Sequence, residues 1–345
     1  MSADETGPPG GDGTAAPLAP WLADQLQALL RQRGHAWLLQ GASGLGQYRL
    51  ALALVSAWLC DAPSAAGACG ACASCHLVEV RTHPDLAVLM PEATALALGW
   101  PLAEKAQQEI DDKKRKPSKD IRVEAMRDAV EFAQRTSARG RGKAVLVYPA
   151  ERMNHVTANA LLKTLEEPAG DLRFVLASES AHLLLPTIRS RCLGHAMAWP
   201  DEAAALVWLR SQGLDEQTAA LLLRAAGGRP EDALADAAAG RDGQQWAQLP
   251  KALARGEVAA LAAWSPAQAI DALQKVCHDL LARHCGAEPR FFAAADLPAA
   301  VSLAALSRWS RSLLDAARTA EHPFQAPLML EALVSQARIA LNSRA

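Results

Sequence analysis

The sequence has no long apolar run and no excess of charge of either sign. Lysine and arginine total 35 residues and aspartate and glutamate total 37, which gives a formal net charge of −2. This balance excludes a whole-protein attraction to nucleic acid, so any contact with DNA must be local. The longest apolar stretch, residues 50–60, is too short to cross a bilayer.

The first residues lack the features of a secretion signal. Residues 1–16 are acidic and rich in glycine and proline, without the basic and apolar regions that a signal requires. We expect this segment to be disordered and the protein to be cytoplasmic, without a membrane partner. Half of the 345 residues are hydrophobic and 21% are charged, which is typical of a globular protein with room for two or three domains.

Apolar and polar patterns predict an α/β domain followed by helices. Over residues 17–198 strand and helix patterns alternate, which indicates a parallel sheet covered on both faces. After Pro200 the strand patterns stop and helical patterns continue to the end of the chain. Residues 91–120 are expected to be irregular. We expect strands at residues 35–40, 85–90, 143–148, 173–177 and 195–198, and helices at residues 17–34, 49–59, 121–137, 154–166 and 186–192.

Residues 41–48, Gly-Ala-Ser-Gly-Leu-Gly-Gln-Tyr, lie between a predicted buried strand and a predicted helix. The context and the G-x-x-x-x-G spacing are typical of a phosphate-binding loop, in which Gly41, Gly44 and Gly46 let backbone N–H groups surround an anion. An active loop continues with a lysine for the phosphates and a serine or threonine for Mg²⁺. This chain has Gln47 and Tyr48, so we expect the shape of the loop without its chemistry.

A second part of the same catalytic site is also missing. In an active P-loop ATPase, the strand corresponding to residues 143–148 ends in an aspartate for Mg²⁺, commonly followed by a glutamate that activates water. Pro149 and Ala150 occupy those positions here. We therefore expect no catalysis by this chain. An ATP-hydrolysing enzyme with an unorthodox loop is the alternative.

Four of the seven cysteines, Cys60, Cys69, Cys72 and Cys75, follow a C-x8-C-x2-C-x2-C spacing. In a reducing compartment such clustering favours a metal over disulfides, and four thiolates with no open position indicate a structural Zn²⁺. His76 is a possible substitute ligand, but its place beside Cys75 makes simultaneous binding awkward. The alternatives are four free surface thiols or, as a function, a zinc-dependent DNA-binding module.

Several other residues carry weaker signals. Arg189 and Arg191 lie in Thr-Ile-Arg-Ser-Arg-Cys, residues 187–192, just before the last predicted strand. On residue type alone a salt bridge is the commoner use of such an arginine, and an arginine finger toward a neighbour's nucleotide is the alternative. The basic run 113–119 is expected to be a solvated loop kept disordered by self-repulsion rather than a DNA contact. Cys277 and Cys285 are expected to be small buried groups.

Residues 159–168, Asn-Ala-Leu-Leu-Lys-Thr-Leu-Glu-Glu-Pro, and Ser-Arg-Cys at residues 190–192 resemble the clamp-loader family of bacterial DNA polymerase III, which consists of AAA+ proteins. The four-cysteine insertion and His-Pro-Asp at residues 83–85 fit the same family. With the loop and acidic-strand residues lost, the chain most resembles the family's stator, which does not hydrolyse ATP. The resemblance covers about residues 17–198 with strong motifs and beyond Pro200 rests on helical pattern and length.

The resemblance implies an AAA+ nucleotide-binding-like domain at residues 17–198 with a zinc module at 60–75, a helical lid at 199–240 and a helical collar at 241–345. It implies a hetero-pentamer with gamma/tau-type ATPase subunits and a delta subunit, which places a sliding clamp on primer-template DNA as part of a DNA polymerase holoenzyme. In the family's motif Arg191 acts in trans, as an arginine finger, on the adjacent subunit's ATP. Arg229 matches a nucleotide-sensing arginine of active relatives, whereas the run at residues 113–119 departs from the family pattern.

Overall fold

The computed structural model describes residues 18–299, 301–320 and 325–343, so the segment expected to be disordered, 1–16, lies outside the described residues. The chain divides into two compact units, Met1–Trp199 and Pro200–Ala345. The strands of the first unit are β1 (Ala36–Gln40), β2 (Leu86–Leu89), β3 (Lys143–Val147), β4 (Leu172–Ser178) and β5 (Leu193–Ala196). Its helices are α1 (Pro20–Leu30), α2 (Gln47–Leu59), α3 (Ala73–Glu79), α4 (Glu92–Ala97), α5 (Glu104–Asp111), α6 (Val123–Gln134), α7 (His155–Glu166) and α8 (Pro186–Arg189).

Within the described residues of the first unit, the strands form one parallel sheet in the order β2-β3-β4-β1-β5. Val145 and Val147 of β3 and Phe174 and Leu176 of β4 share a core with α6 and α7. The residues that alternate with these along β3 and β4 face the other side of the sheet, where α2 packs against both strands. Because both faces are covered, the central strands are mostly apolar and their polar residues lie at or near the strand ends, as in Lys143 and Ser178. The predicted parallel α/β sheet is confirmed.

The expectation that residues 91–120 are irregular is wrong, because they contain α4 and α5. Helix α4 has only six residues and α5 buries none of its side chains, so neither produces an apolar pattern long enough to predict a helix. Helix α3, within the cysteine-rich segment, was also not predicted. The expected boundaries of other elements differ from the observed ones by a few residues, most at α1, since helix ends carry weak signals.

The second unit is helical, as predicted from the patterns after Pro200. Leu273, Val276, Leu306, Trp309 and Leu333 belong to its main buried core. Whether residues 199–240 and 241–345 are separate lid and collar domains stays a prediction. In the described part of the chain, no helix combines the length and apolarity needed to cross a membrane. The helices of this unit are α9 (Glu202–Ser211), α10 (Glu216–Ala225), α11 (Pro230–Ala238), α12 (Gly243–Arg255), α13 (Pro266–His284), α14 (Leu303–Arg318) and α15 (Ala326–Leu341).

A buried carboxylate on α13 organises the chain that follows this helix. Asp279 is fully buried, and it accepts hydrogen bonds from the backbone N–H groups of Arg290, Phe291 and Phe292 at 2.7–2.9 Å. On the same helix Cys277 is buried as expected, and burial raises its pKa to about 11. The expectation that Cys285 is buried is wrong, because it follows the last residue of α13 and is exposed.

Candidate functional site

The segment between β1 and α2 has the shape of a phosphate-binding loop. Gly44 and Gly46 have φ angles of +71° and +89°, in the left-handed region that favours glycine. A Cβ on Gly41 would lie 2.7 Å from the Cβ of Met197, which excludes larger residues without a local shift. Helix α2 starts directly after the loop, as an anion site at a helix N-terminus requires. The predicted strand, loop and helix are therefore confirmed.

The side chain of Gln47 is folded back onto this loop. Its Nε2 donates to the carbonyl oxygens of Gly41 at 3.0 Å and Ala42 at 2.5 Å, and the residue is 2% exposed. An active loop has a lysine ammonium at this position, directed at the phosphates. Here a neutral amide satisfies the carbonyl groups of the loop itself, so it offers no positive charge to a phosphate.

Aromatic residues occupy the region beside the loop. The indole N–H of Trp100 donates to the hydroxyl of Tyr48 at 2.5 Å, and the rings of Tyr48 and Tyr148 lie 5.3 Å apart. Tyr148, directly after β3, donates to Glu179 Oε1 at 2.8 Å. Burial raises the pKa of Tyr48, so its phenol stays neutral at physiological pH and is a poor metal ligand. No sequence pattern points to Trp100, because it lies within residues 91–120, where we expect irregular structure.

The four predicted cysteine ligands lie together. All four Sγ atoms of Cys60, Cys69, Cys72 and Cys75 are within 4.8 Å of one another. Four of the S···S separations are 3.5, 3.7, 3.8 and 3.9 Å. A tetrahedral ion with Zn–S bonds of about 2.3 Å requires S···S separations of about 3.8 Å. The cluster can therefore hold a zinc ion. His76 lies on α3 outside this group and approaches Glu79 instead, at 3.9 Å.

Backbone N–H groups surround the sulfur atoms. The N–H of Cys69 donates to Cys60 Sγ at 3.3 Å, and the N–H groups of Asp61 and Cys75 donate to Cys72 Sγ at 3.4 Å. Hydrogen bonds from the backbone of Ala71 and Cys72 lower the pKa of Cys69 to about 6, whereas burial raises the pKa of Cys75 to about 12. Because the thiolate is the form that binds zinc, these donors favour a metal-binding cluster.

A hydrogen-bond network connects the cysteine cluster to the sheet. Asp61, next to Cys60, accepts from Ser74 Oγ at 2.8 Å and pairs with Arg139 at 3.2 Å. The backbone N–H groups of Ala138 and Arg139 donate at 2.7 and 2.9 Å to Asp85, which is 1% exposed and precedes β2. Sequence reasoning missed Asp61 and Arg139, because the two residues are 78 positions apart and no local pattern pairs them.

Arg191 lies between α8 and β5 and contacts the last residue of α7. Its Nε donates to Glu166 Oε1 at 2.6 Å, a second guanidinium N–H contacts the same oxygen, and a third donates to the carbonyl of Thr187 at 2.9 Å. The side chains of Arg191 and Glu166 are 33% and 47% exposed. In the free chain Arg191 thus forms the salt bridge that its residue type favours. Its action in trans stays a prediction.

Arg229 and the basic run 113–119 each have an arginine that is paired with carboxylates. Arg229 caps α11 and its Nε donates to Asp232 at 2.6 Å. In the run 113–119, Arg115 donates to both oxygens of Glu92 and, at 2.7 Å, to Glu109. The run is a solvated loop, as expected, but the expectation that self-repulsion keeps it disordered is wrong, because its arginine is neutralised by two carboxylates. The lysines of the run remain on the surface.

Comparison with known proteins shows that part of the chain matches the profile of a protein family. The profile of the family described as DNA polymerase III, delta subunit, matches residues 21–198, slightly more than half of the 345-residue chain. The DNA polymerase III subunit delta' of Pseudomonas aeruginosa is 42% identical over 223 residues, which cover 62% of this chain and 60% of that protein. Subunit delta' of Escherichia coli K12 is 34% identical over 222 residues, or 63% of this chain and 60% of that protein. The chain therefore spans about 60% of the length of these relatives.

Among solved structures, a DNA polymerase III gamma subunit-related protein from Thermotoga maritima is similar to the chain. The TM-score is 0.49 and the sequence identity 17%, over 93% of this chain and all of that one.

Proposed function

The chain belongs to the DNA polymerase III delta subunit family, and from this premise we propose that it is a delta'-type subunit of a clamp loader that does not hydrolyse ATP. In this role it works in the cytoplasm with gamma/tau-type ATPase subunits and a delta subunit in a hetero-pentamer. The complex loads a sliding clamp onto primer-template DNA during replication. Residues 199–240 serve as the lid and residues 241–345 as the collar through which the subunits assemble.

The conformation of Gln47 is the main observation that supports the proposed lack of ATP hydrolysis. Its amide is committed to the carbonyls of Gly41 and Ala42, so binding a phosphate would break two hydrogen bonds without supplying a charge. Each charge-assisted contact that a lysine makes is worth about 1.5–3 kcal/mol. Pro149 and Ala150 provide neither a Mg²⁺ ligand nor a base, so both the binding and the chemical step lack their residues.

Arg191 is proposed to act on the ATP of an adjacent subunit. Its pairing with Glu166 does not prevent this, because an exposed ion pair is worth at most about 1 kcal/mol. Hydrogen bonds from a guanidinium to a phosphate are worth about 1.5–3 kcal/mol each, so a neighbour's nucleotide can replace Glu166 as the partner. We infer that Arg191 is paired with Glu166 in the free chain, and that this ion pair breaks when the subunits assemble.

The cysteine cluster is assigned a structural Zn²⁺. Four sulfur ligands leave no open position for a water or substrate, so the ion's contribution is to folding rather than to catalysis. The network from Asp61 through Arg139 to Asp85 supports this role, since it joins the metal module to the start of β2.

The decisive experiment is co-purification with the sister subunits, followed by ATPase measurement with and without primed DNA and clamp. We expect Arg191→Ala to assemble normally but to lose most of the DNA-stimulated ATPase, since arginine fingers typically contribute about 10³-fold or more at the site they complete. Arg189→Ala is the matched control: this exposed arginine lies two residues away, and among the described residues its side chain makes no ion pair.

Two outcomes would refute the proposal. Unchanged ATPase in an assembled Arg191→Ala complex would remove Arg191 from the mechanism, and failure of the wild-type chain to bind any sister subunit would reject the assignment as a whole. The isolated chain provides a separate test. We expect no ATP turnover from it, and activity that disappears in a Gly44→Asp variant would instead favour an ATP-hydrolysing enzyme.

A further inference from the structure

A cleft of about 780 Å³ lies at the amino ends of β1, β3 and β4. The residues after α1 and those preceding β3 and β4 form its rim. Ligands of open parallel sheets usually bind at the carboxyl ends of the strands, where the loop of residues 41–46 lies in this chain. The cleft is therefore on the opposite edge of the sheet, and none of the cysteine ligands, the loop glycines or Arg191 lines it.

The cleft concentrates positive charge. Arg31, Arg33, Arg141 and Arg173 line it, and Asp171 is the one carboxylate among the described lining residues. Across the described part of the chain, the side chains of Arg31, Arg33 and Arg141 have no hydrogen bond and no ion pair. Four unit charges against one give the cleft a local excess of three positive charges, in a chain whose formal net charge is −2. An anion would offset their mutual repulsion.

One of these arginines is held in place by the aromatic residues beneath it. The guanidinium of Arg173 lies 5.7 Å from the centre of the Trp58 ring, which in turn lies 4.9 Å from the Trp37 ring. Trp37 is 3% exposed, and its indole N–H has no acceptor among the residues that the structure describes. The stack orients Arg173, whereas the buried rings leave no aromatic face on which a base could stack.

We propose that this cleft binds the phosphate backbone of nucleic acid without reading its sequence. The arginines come from separate chain segments around an open cleft, which suits an extended chain of phosphates better than a single one. Guanidinium groups pair with phosphate oxygens through two parallel hydrogen bonds. The inference depends on the isolated chain alone, so its failure would leave the proposed clamp-loader function untouched.

The test uses the full-length chain and a fluorescently labelled single-stranded oligothymidylate, with binding followed by anisotropy over a range of salt concentrations. We expect Arg33→Ala/Arg141→Ala to weaken binding and to reduce the slope of log K against log salt by about 1.4, because each lost single-strand phosphate contact removes about 0.7. Arg127→Ala/Arg189→Ala removes the same charge from exposed arginines outside the cleft and should change neither the affinity at low salt nor the slope.

Three results would overturn the proposal. The first is no binding of the oligonucleotide at about 50 mM salt, where backbone contacts are strong. The second is equal loss of affinity in the cleft variant and the control variant. The third is displacement of the oligonucleotide by tripolyphosphate at equal phosphate concentration, which would identify a site for a small polyphosphate instead. Circular dichroism melting of both variants verifies that they are folded, as expected for changes to exposed side chains.

Discussion

Replacing Cys72 by serine tests the metal assignment most directly. The Sγ of Cys72 lies 3.8 Å from that of Cys60 and 3.5 Å from that of Cys75, so it forms one corner of the proposed tetrahedron. A serine hydroxyl stays protonated at neutral pH and does not replace a thiolate. We therefore expect Cys72→Ser to leave a three-ligand site with much weaker zinc affinity.

The magnitude follows from the number of ligands. Structural zinc sites contribute about 10–16 kcal/mol of apparent binding free energy at pH 7, and one ligand of four corresponds to about 2.5–4 kcal/mol. Since 1.4 kcal/mol is a factor of ten, zinc affinity should fall by about 10²- to 10³-fold. The unfolding temperature should fall as well, because metal binding stabilises the folded state.

The assay is competition with a chromophoric zinc chelator, together with elemental analysis of the purified protein, which should contain about one zinc per chain. Cys285→Ser is the matched control, because Cys285 is exposed and lies outside the cluster. Equal zinc affinity in Cys72→Ser and wild type would refute the four-thiolate site. So would purified wild type without zinc whose unfolding temperature does not respond to added zinc.

Three further predictions concern stability. Gln47→Ala leaves the carbonyls of two loop residues without their donor, and should lower the free energy of unfolding by about 1–3 kcal/mol in urea titrations; no loss would show that the amide is not needed by the loop. Asp279→Ala removes a buried acceptor from three backbone N–H groups, of which that of Phe292 is buried, and should cost about 3 kcal/mol or more, whereas exposed Asp315→Ala should cost little. Burial lowers the pKa of His83 from its ordinary 6.5, and its Nδ1 accepts from the N–H of Asp85. Because the unfolded chain then binds the proton more tightly, stability should decline as the pH falls through 6.5 toward the folded-state pKa. A pKa at or above 6.5 for His83, measured by NMR, would contradict this.

Much of the site was predictable because its residues lie close together in the sequence, at spacings that indicate their structure. The spacing of Gly41, Gly44 and Gly46 between an apolar strand and a helix specifies a loop shape that larger residues cannot adopt. The spacing of the last three cysteines confines three ligands to a short segment, so their proximity was expected. The parallel sheet followed from apolar runs that only a doubly covered strand tolerates. Short or polar helices such as α4 and α5 carry no such pattern and were missed.

The tertiary structure alone decided how these parts are used. Trp100 reaches Tyr48 across 52 positions, and Glu166 meets Arg191 across 25. The arginines of the cleft come together only because three parallel strands begin at one edge of the sheet. Periodicity and spacing describe neighbours along the chain, whereas such contacts depend on which segments the fold brings together and which way their side chains turn.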